Sequence, residues 1–403
     1  MRVLISGASI AGPVVAYWLA RRGFDVTVVE RAPTLRKTGG HAVDLFRPAM
    51  DISAHMGVLP RIEERTTGTT RMTIHRQSGG RPISVDLAKI VAAASDRHVE
   101  IMRDDLSEIY YDAGRDDVEY LFGDSITAIS PDGDVTFQRT PPRRFDVVIG
   151  ADGLHSNVRR LTFGDDAGMT RFLGAYLAVA SVPKTLAPEG EMHCHVGVGR
   201  MAAIYSARHL DDARLVFLFR SPQLHYHHRD TLRQKQLLRT AFAAMAPRVD
   251  DWLTRLEDTP AFYFDSITQL QLDGWSQGRV TLVGDAGYCP GPAVGGSTSL
   301  AVVGAYVLAG ELARTGGDHA HAFTAYQRRM SEPVRRSRAF ARTAAKTIVP
   351  ASRAALWAVT RGIQVVSALP SPLTRTVAKL NTTGVRLHDS IPVPDYAAGV
   401  WQH

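Results

Sequence analysis

The chain begins with an apolar run followed by a glycine-rich turn, GASIAG, that contains Gly7, Ser9, Ile10, Ala11 and Gly12. In a dinucleotide-binding loop the first glycine makes a tight turn, the middle one lets a pyrophosphate approach the backbone, and the last lets the helix pack on the strand. Ser9 stands where the middle glycine is expected, and its hydroxyl can still donate a hydrogen bond to a phosphate. Taken alone, the pattern is equally typical of a plain turn ahead of a helix.

The segments around this turn favour nucleotide binding. Residues 2–6 predict a buried strand, residues 13–22 have the apolar spacing of a helix, and residues 25–30 predict a second strand. Glu30 ends that strand and Arg31 follows it. A carboxylate at this point can accept hydrogen bonds from both hydroxyls of an adenosine ribose, and it disfavours a 2′-phosphate. We therefore predict a βαβ nucleotide-binding unit in which Ser9 is a tolerated variant.

A second motif lies in the stretch DVVIGADGLHSNVRR, where a predicted buried strand leads into a helix. Asp152 and Gly153 form the turn, and Ser156 and Arg159 fall in the predicted helix.

A third motif lies in RVTLVGDAGYCPGPAVGGSTSL, where a predicted strand ends at Gly284 and Asp285. A proline-rich loop follows, and Gly295, Gly296 and Ser297 then begin a long helix of small residues. Small residues let the backbone approach a flat ligand, and the N-terminus of a helix stabilises negative charge.

In this order the three motifs resemble those of the FAD-dependent aromatic monooxygenases of the p-hydroxybenzoate hydroxylase type, which include polyketide hydroxylases and enzymes that inactivate tetracycline and rifampicin. The resemblance covers residues 1 to about 340. It implies FAD as the cofactor and NADH or NADPH as the co-substrate.

The resemblance also assigns roles to individual residues. Arg103 would contact the phosphate and ribityl chain of the flavin, Asp285 would hydrogen-bond the ribityl chain, and the motif at Asp152 would serve both FAD and the reduced nicotinamide. Gly39, Gly40 and Asp44 resemble a flavin-contacting loop of some members, and Ile126 is placed with the FAD-contacting residues. The sequence departs from the family at Tyr288, where a histidine is frequent, and at Ser297 and Ser299, in the helix-opening pattern.

The chemistry implied by the resemblance is carried by the flavin: O2 adds to the reduced ring to give a C4a-hydroperoxide, which hydroxylates an aromatic or polyketide-like small molecule. No catalytic acid or base is identified from the sequence. Other flavin redox chemistry, by a reductase or desaturase, and a non-catalytic FAD-binding protein remain alternatives. A halogenase is disfavoured because no two of the five tryptophans lie two residues apart.

The middle of the chain has a different character. Residues 71–86 predict a hairpin around Gly79 and Gly80, and strand-like segments crowd residues 176–271. The stretch GVGRMA mimics a nucleotide fingerprint but is followed by a strand, so we interpret it as a hairpin turn. We predict an α/β fold with a Rossmann-like FAD-binding domain (1–70, 96–170 and 275–340), an inserted antiparallel β-sheet substrate domain (71–95 and 171–274) and a C-terminal helical segment (341–403).

Composition limits the partners. The net charge of +7 arises from one segment, residues 327–379, which holds eleven basic residues and one acid. We interpret this segment as helical and facing solvent or a partner, with an anionic surface as the alternative. No nucleic-acid-binding signature is present, so we expect no nucleic-acid partner. The chain is expected to be a monomer or a homodimer.

Two cysteines, no secretory signal pattern and no run of about 20 apolar residues lead us to expect a cytoplasmic protein without a membrane span. The aromatic residues Tyr205, Phe217, Phe219, Tyr263 and Phe264 are interpreted as sheet core, and the alternative is that one or two of them face the flavin and contact a planar substrate. The histidines His193, His195, His225, His227 and His228 invite a metal site, but strand alternation and the lack of paired carboxylates argue against one.

Overall fold

The structure is a computed structural model that describes residues 1–35, 39–89, 97–165, 168–227, 230–259, 261–292, 296–368 and 387–396. The strands of these residues are, in chain order, β1 (Arg2–Ser6), β2 (Asp25–Glu30), β3 (Ala42–Phe46), β4 (Arg71–Arg76), β5 (Ile83–Asp86), β6 (His98–Met102), β7 (Glu119–Phe122), β8 (Ile126–Ile129), β9 (Asp134–Phe137), β10 (Arg143–Arg144), β11 (Val147–Gly150), β12 (Thr170–Pro183), β13 (Glu191–Gly197), β14 (Arg200–Tyr205), β15 (Asp212–Arg220), β16 (Phe262–Leu270), β17 (Ser276–Gln277) and β18 (Val280–Leu282). The helices are α1 (Ala11–Ala20), α2 (Arg47–His55), α3 (Leu59–Glu64), α4 (Arg103–Gly114), α5 (Asn157–Phe163), α6 (Thr231–Phe242), α7 (Pro247–Thr254), α8 (Asp285–Tyr288), α9 (Ser297–Arg314), α10 (His319–Ile348) and α11 (Arg353–Ala368).

A six-stranded sheet forms the centre of the nucleotide-binding part, with the order β17-β18-β11-β1-β2-β7. All of its pairs are parallel except the edge pair β17 and β18. Strands β1, β11 and β18 are buried apart from Arg2, and their buried residues are apolar except for Ser6 and Thr281, as expected for parallel strands covered on both faces. The unit β1-α1-β2 confirms the prediction from the opening residues. Because parallel strands present their carboxyl ends at one edge, the three sequence motifs meet there.

A seven-stranded sheet, of order β16-β12-β15-β14-β13-β4-β5, forms the second part. The predicted hairpins are present: β4 pairs antiparallel with β5 around Gly79 and Gly80, and β13 pairs antiparallel with β14. The sheet is not wholly antiparallel, however, because β13 pairs with β4 in parallel. More than a hundred residues separate these two strands in the chain, and they include β5, β12 and a long stretch of the nucleotide-binding part. A connection of that length does not impose the antiparallel pairing that a tight turn imposes.

Helix α10 joins the two parts. Its first half packs in the core of the six-stranded sheet through Phe323 and Tyr326. Its second half packs against the seven-stranded sheet, where Ala341 and Ala345 contact a cluster that includes Leu177. The predicted domain boundary at residue 340 therefore falls inside a continuous helix.

Helix α11 and a short segment, residues 387–396, complete the described chain. No helix among the described residues is both long enough and apolar enough to cross a membrane.

Candidate functional site

The β1–α1 turn is built around two glycines that no other residue could replace. Gly7 has φ +107°, and a Cβ there would lie 2.6 Å from the carbonyl oxygen of Ala151. A Cβ on Gly12 would collide with the carbonyl oxygen of Gly7. The turn therefore packs directly on the end of β11 and on helix α1. No side chain caps α1, so the backbone N–H groups of its first turn remain available to an anion.

Ser9 lies at the open side of this turn, half-buried, and Ile10 and Ala11 are buried behind it. The guanidinium of Arg103 donates a hydrogen bond from Nη2 to Oγ of Ser9 over 3.2 Å. Arg103 is the first residue of α4, and its backbone N–H bonds the carbonyl oxygen of His41. One cation is thus held beside the glycine-rich turn, where a phosphate group would need it.

Glu30 lies at the carboxyl end of β2, as predicted, beside the same turn. Its carboxylate accepts hydrogen bonds from the backbone N–H of Ala8 at 2.9 Å and of Ala32 at 2.8 Å. These bonds fix the side chain across the mouth of the turn. Arg31 is exposed to solvent.

The carboxylate of Asp152 in the second motif hydrogen-bonds the protein's own groups at the start of α5. Asp152 accepts hydrogen bonds from the hydroxyl of Ser156 and from the backbone N–H groups of Asn157 and Val158 at the start of α5. Burial raises the pKa of Asp152, and these bonds oppose that rise. The side-chain amide of Asn157 bonds the carbonyl oxygen of Ile126, which brings that residue to the motif. Gly153 has φ +81°, so the turn after Asp152 needs a glycine.

Arg159 ties the second motif to the third. Its side chain is fully buried, and its guanidinium donates hydrogen bonds to the carbonyl oxygens of Leu154 and Ala286. Ala286 belongs to α8, which begins at Asp285. The two motifs therefore hold one another in place through a buried cation.

Gly284 brings the first and third motifs together. It has φ +64°, and a Cβ on it would lie 3.3 Å from the Cβ atoms of both Ala11 and Ala301. Asp285 follows directly, and its pKa is raised by burial, against the opposing charge of Arg103. Asp285 and Arg103 thus act on one another from opposite sides of the turn.

The N-terminus of α9 is the second uncapped helix end at the site. Gly296 precedes it in the left-handed conformation with φ +79°, and no side chain caps the helix. Ser299 in the first turn accepts a hydrogen bond from the backbone N–H of Phe46 at 3.0 Å and donates one to the carbonyl oxygen of Asp44. Ser297, the first residue of α9, is half-buried. The predicted residue Gly295 lies outside the described residues.

The segment with Gly39, Gly40 and Asp44 lies between α9 and the seven-stranded sheet. The backbone N–H of Gly40 bonds Asp104 at 2.7 Å, and its carbonyl oxygen accepts from Nε of Arg214 at 2.9 Å. Asp44 hydrogen-bonds His98 at 2.6 Å. Burial alone would lower the pKa of His98, but the bond to Asp44 and the charge of Glu100 raise it.

Sequence reasoning missed the sheet residues that hold this segment. Arg214 on β15 is 2% exposed and binds Gly40, and the hydroxyl of Tyr205 on β14 accepts from the N–H of Ala42 at 2.8 Å. Both residues lie in strands whose sequences are mostly apolar, so the strand pattern did not indicate that they bind this segment. The charged Arg214 inside an apolar strand is the signal that could have identified one of them, because a buried arginine requires partners.

Tyr263 on β16 packs against a core cluster, but it is less buried than the other aromatic residues interpreted as sheet core. It is half-buried, whereas Tyr205, Phe217, Phe219 and Phe264 are buried. Burial and then the charge of Asp265 raise its pKa well above the ordinary value, and Arg103 opposes them. Tyr263 packs against the apolar cluster that joins the sheet to the second half of α10, and its hydroxyl hydrogen-bonds Asp265.

An open cleft of about 340 Å³ lies next to this position. The Asp265 carboxylate within it binds His155 at 2.8 Å and the Tyr263 hydroxyl at 3.3 Å. Aromatic rings of Phe172, Tyr176 and Tyr226 line the rest. His155 belongs to the second motif, so the cleft lies between that motif and the edge of the sheet.

Histidines gather elsewhere on the sheet, on β4 and β13. The rings of His75 and His195 stack 4.8 Å apart, and His193 lies 5.4 Å from His75. Within the described ranges no group of three or more histidines, cysteines or acids has a metal-binding arrangement. His225 and His227 lie in the loop before α6, and His228 lies outside the described residues.

These features fit FAD. The uncapped N-termini of α1 and α9, the cation of Arg103 and the carboxylates of Glu30 and Asp285 lie together at one sheet edge. The glycines there have no side chain, so a ligand can lie close to the backbone. The arrangement offers donors and positive charge to a pyrophosphate, and a helix N-terminus to a ring that gains negative charge on reduction.

Comparison with known proteins agrees with this geometry. The family model described as FAD binding domain matches residues 1–332. A flavin-dependent monooxygenase of Legionella longbeachae is 37% identical over 330 residues, which cover 81% of this chain and 84% of that protein. Monooxygenase CTB7 of Cercospora beticola is 33% identical over 397 residues, which cover 91% of this chain and 92% of that protein.

A solved structure is similar over almost the whole chain. The crystal structure of tetracycline destructase Tet(51) superposes with a TM-score of 0.82 at 31% identity, covering 98% of this chain and 99% of that chain. The similarity therefore includes the seven-stranded sheet and the C-terminal helices as well as the nucleotide-binding part.

Proposed function

Because the chain belongs to the FAD binding domain family and is a FAD-dependent monooxygenase, we propose that it hydroxylates an aromatic or polyketide-like small molecule with O2 and a reduced nicotinamide. Bound FAD supplies the oxygen-transferring chemistry. The residues of this chain bind the cofactor, orient the substrate and exclude water.

The observation that carries this proposal is the position of Tyr263. Its hydroxyl hydrogen-bonds Asp265, which lines the cleft beside the second motif, and the charges of Arg103 and Asp285 both act on its pKa. A ring at this place can stack on a planar substrate, and its hydroxyl can bond a phenol. The similarity to a protein whose name specifies tetracycline as the compound it destroys supports the same class.

We place the reduced nicotinamide in the cleft between His155 and the edge of β16. The residues that line it include a histidine of the second motif and the Asp265 carboxylate. By its resemblance to the family, that motif serves both FAD and the nicotinamide. Incubation with NADH and with NADPH in the ¹⁸O2 experiment distinguishes the two co-substrates.

The remaining finer points are also proposals. The two cysteines are free and buried, which suits a reducing cytoplasm. We propose that the chain acts there as a monomer or homodimer, with a discontinuous FAD-binding domain and an inserted substrate domain.

The test is isotope transfer from ¹⁸O2. The FAD-loaded protein is incubated with NADH or NADPH and a panel of phenolic and polyketide-like compounds, and products are analysed by mass spectrometry. We expect one ¹⁸O atom per product for at least one compound, with faster nicotinamide oxidation. Rapid nicotinamide oxidation that reduces a substrate double bond without ¹⁸O would instead support a flavin reductase.

A variant pair locates the substrate. Tyr263→Ala is expected to raise KM for the accepted compound about tenfold without loss of FAD, because it removes the proposed stacking on the substrate, together with the hydrogen bond to Asp265. The matched control is Tyr226→Ala, which changes a tyrosine of the nicotinamide cleft. A Tyr263→Ala enzyme with unchanged KM would move the substrate site elsewhere.

A further inference from the structure

Residues 387–396, here called the C-terminal strap, lie along helix α9. At one end the ring of Tyr396 rests on Gly310, where any side chain would collide with it. Its hydroxyl donates to Glu311 at 2.6 Å, and its backbone N–H bonds the hydroxyl of Tyr306. These contacts anchor the strap to the middle of the helix.

The other end of the strap reaches the N-terminus of α9. Asp389 accepts a hydrogen bond from the backbone N–H of Arg47 at 3.1 Å. The ring of His388 stacks on Phe46 with centroids 5.4 Å apart and an interplanar angle of 11°. The imidazole occupies the space that a side chain on Gly296 would need. The side chain of His388, from a distant part of the chain, therefore fills the space beside the Cα atom of Gly296.

The imidazole of His388 is an unsatisfied polar group. It is 1% exposed, and neither of its ring nitrogens has a hydrogen-bond partner among the described residues. Buried polar groups in native proteins are nearly always paired, so two orphaned nitrogens in one ring indicate a missing ligand. The ring lies against an uncapped helix N-terminus, which indicates a ligand that can carry negative charge.

The charge state of the ring is set by its surroundings. Burial lowers the pKa of His388 to about 4, although Asp44 and Asp389 raise it. His98 also faces this region from β6, through its bond to Asp44. At neutral pH the ring is therefore neutral, with one N–H donor and one acceptor nitrogen.

We propose that His388 is a further flavin-contacting residue, whose imidazole hydrogen-bonds the pyrimidine edge of the isoalloxazine beside Gly296. That edge has alternating carbonyl and N–H groups, which match a neutral imidazole. It is also where negative charge gathers in reduced flavin, so the bond favours the reduced form. The inference rests on FAD binding and on the ring lying at the N-terminus of α9, and it is independent of the substrate.

The test uses two substitutions at His388 in the full-length chain without substrate. His388→Phe keeps the stacking on Phe46 but removes both nitrogens, and His388→Gln keeps a donor and an acceptor. The FAD dissociation constant is measured by flavin fluorescence, and the midpoint potential of bound flavin by dye equilibration. We expect His388→Phe to bind FAD about tenfold more weakly, as for one lost hydrogen bond, and to have a lower midpoint potential. His388→Gln is expected to stay near wild type.

The control is Tyr396→Phe, which removes the anchoring hydroxyl at the far end of the strap. It is expected to lower the melting temperature and leave the midpoint potential unchanged. Wild-type affinity and potential in His388→Phe would overturn the proposal. An equal fall of potential in Tyr396→Phe would also overturn it, because strap packing would then be the cause. A wild-type chain that fails to bind FAD would refute the proposed function instead.

Discussion

Arg103 and Asp285 are the two charged residues that meet at the glycine-rich turn, one on α4 and one on α8. Arg103 reaches Ser9, and its charge opposes the rise in the pKa of Asp285 that burial causes. Separate sequence motifs show neither that Arg103 bonds Ser9 nor that the charge of Arg103 acts on the pKa of Asp285. The sequence pointed to both residues through their match to the motifs of a known family, and their contacts with FAD stay a prediction.

We predict that Arg103→Ala and Asp285→Ala each weaken FAD binding roughly 10- to 100-fold, because each removes a hydrogen bond to which a charged group contributes. Equilibrium dialysis of the apoprotein against FAD measures this. Arg239→Ala, which breaks the exposed ion pair between Arg239 on α6 and Glu257, is the matched control. Full FAD retention in both variants would contradict the assignment of these residues.

Glu30 acts at the other end of the cofactor. We predict that Glu30→Ala weakens binding of FAD but not of riboflavin, because only FAD carries the adenosine ribose that the carboxylate would hold. Competition titrations with the two flavins separate this loss from the loss in Asp285→Ala, which should affect both ligands. Equal weakening of both by Glu30→Ala would place Glu30 away from the adenosine.

At the scale of elements, helix α9 connects the cofactor site to the C-terminal strap. Its Glu311 is fully buried and binds Arg314 at 2.7 Å, Arg329 at 2.6 Å and Tyr396 at 2.6 Å. Burial opposes ionisation, but these three partners together hold the pKa of Glu311 below its usual value. The network therefore stabilises the fold above the ordinary carboxyl pKa, and that stability is lost as the pH falls through the lowered one.

We predict that Glu311→Gln lowers the free energy of unfolding by about 2 kcal/mol, less than the loss of a fully buried pair because both arginines are partly exposed. Chemical denaturation at pH 7 measures it. Glu332→Gln, which removes the exposed pair with Arg335, should change stability by about 0.5 kcal/mol or less. Equal effects of the two substitutions would show that the strap is not anchored at Glu311.

The histidines of β4 and β13 give the molecule an acid sensitivity. Burial and then the neighbouring His75 lower the pKa of His195 to about 4. Because the unfolded chain binds this proton more tightly, stability is full above about pH 6.5 and falls as the pH drops toward 4. We predict that the melting temperature falls over this range and falls less in His195→Gln. An identical pH profile in the variant would rule out His195 as a cause.

At the scale of the whole molecule, sequence patterns predicted the elements whose contacts are local or whose motifs have fixed spacing. The βαβ unit, both hairpins and the three motifs at one sheet edge follow from such patterns. Three features did not follow: the parallel pairing of β4 with β13, the binding of Gly40 by Arg214, and the return of His388 to Gly296. Each joins residues far apart in the chain, where neither periodicity nor turn chemistry specifies the partner.

The basic C-terminal segment, residues 327–379, lies only partly within the described residues. The described portion forms the second half of α10 and helix α11, and α11 exposes Trp357 by 63% and Val365 by 60%. Residues 369–379 lie outside the described residues. A partner-facing role for this segment therefore stays a prediction.

The most direct test of the account is the visible absorption spectrum of the purified protein, followed in the same cuvette by NADH or NADPH and the phenolic panel. We predict a flavin spectrum, present as purified or after addition of FAD, that bleaches slowly with the nicotinamide alone and faster with an accepted compound. A protein that stays colourless and takes up no FAD would contradict the site built on Gly7, Ser9 and Gly12.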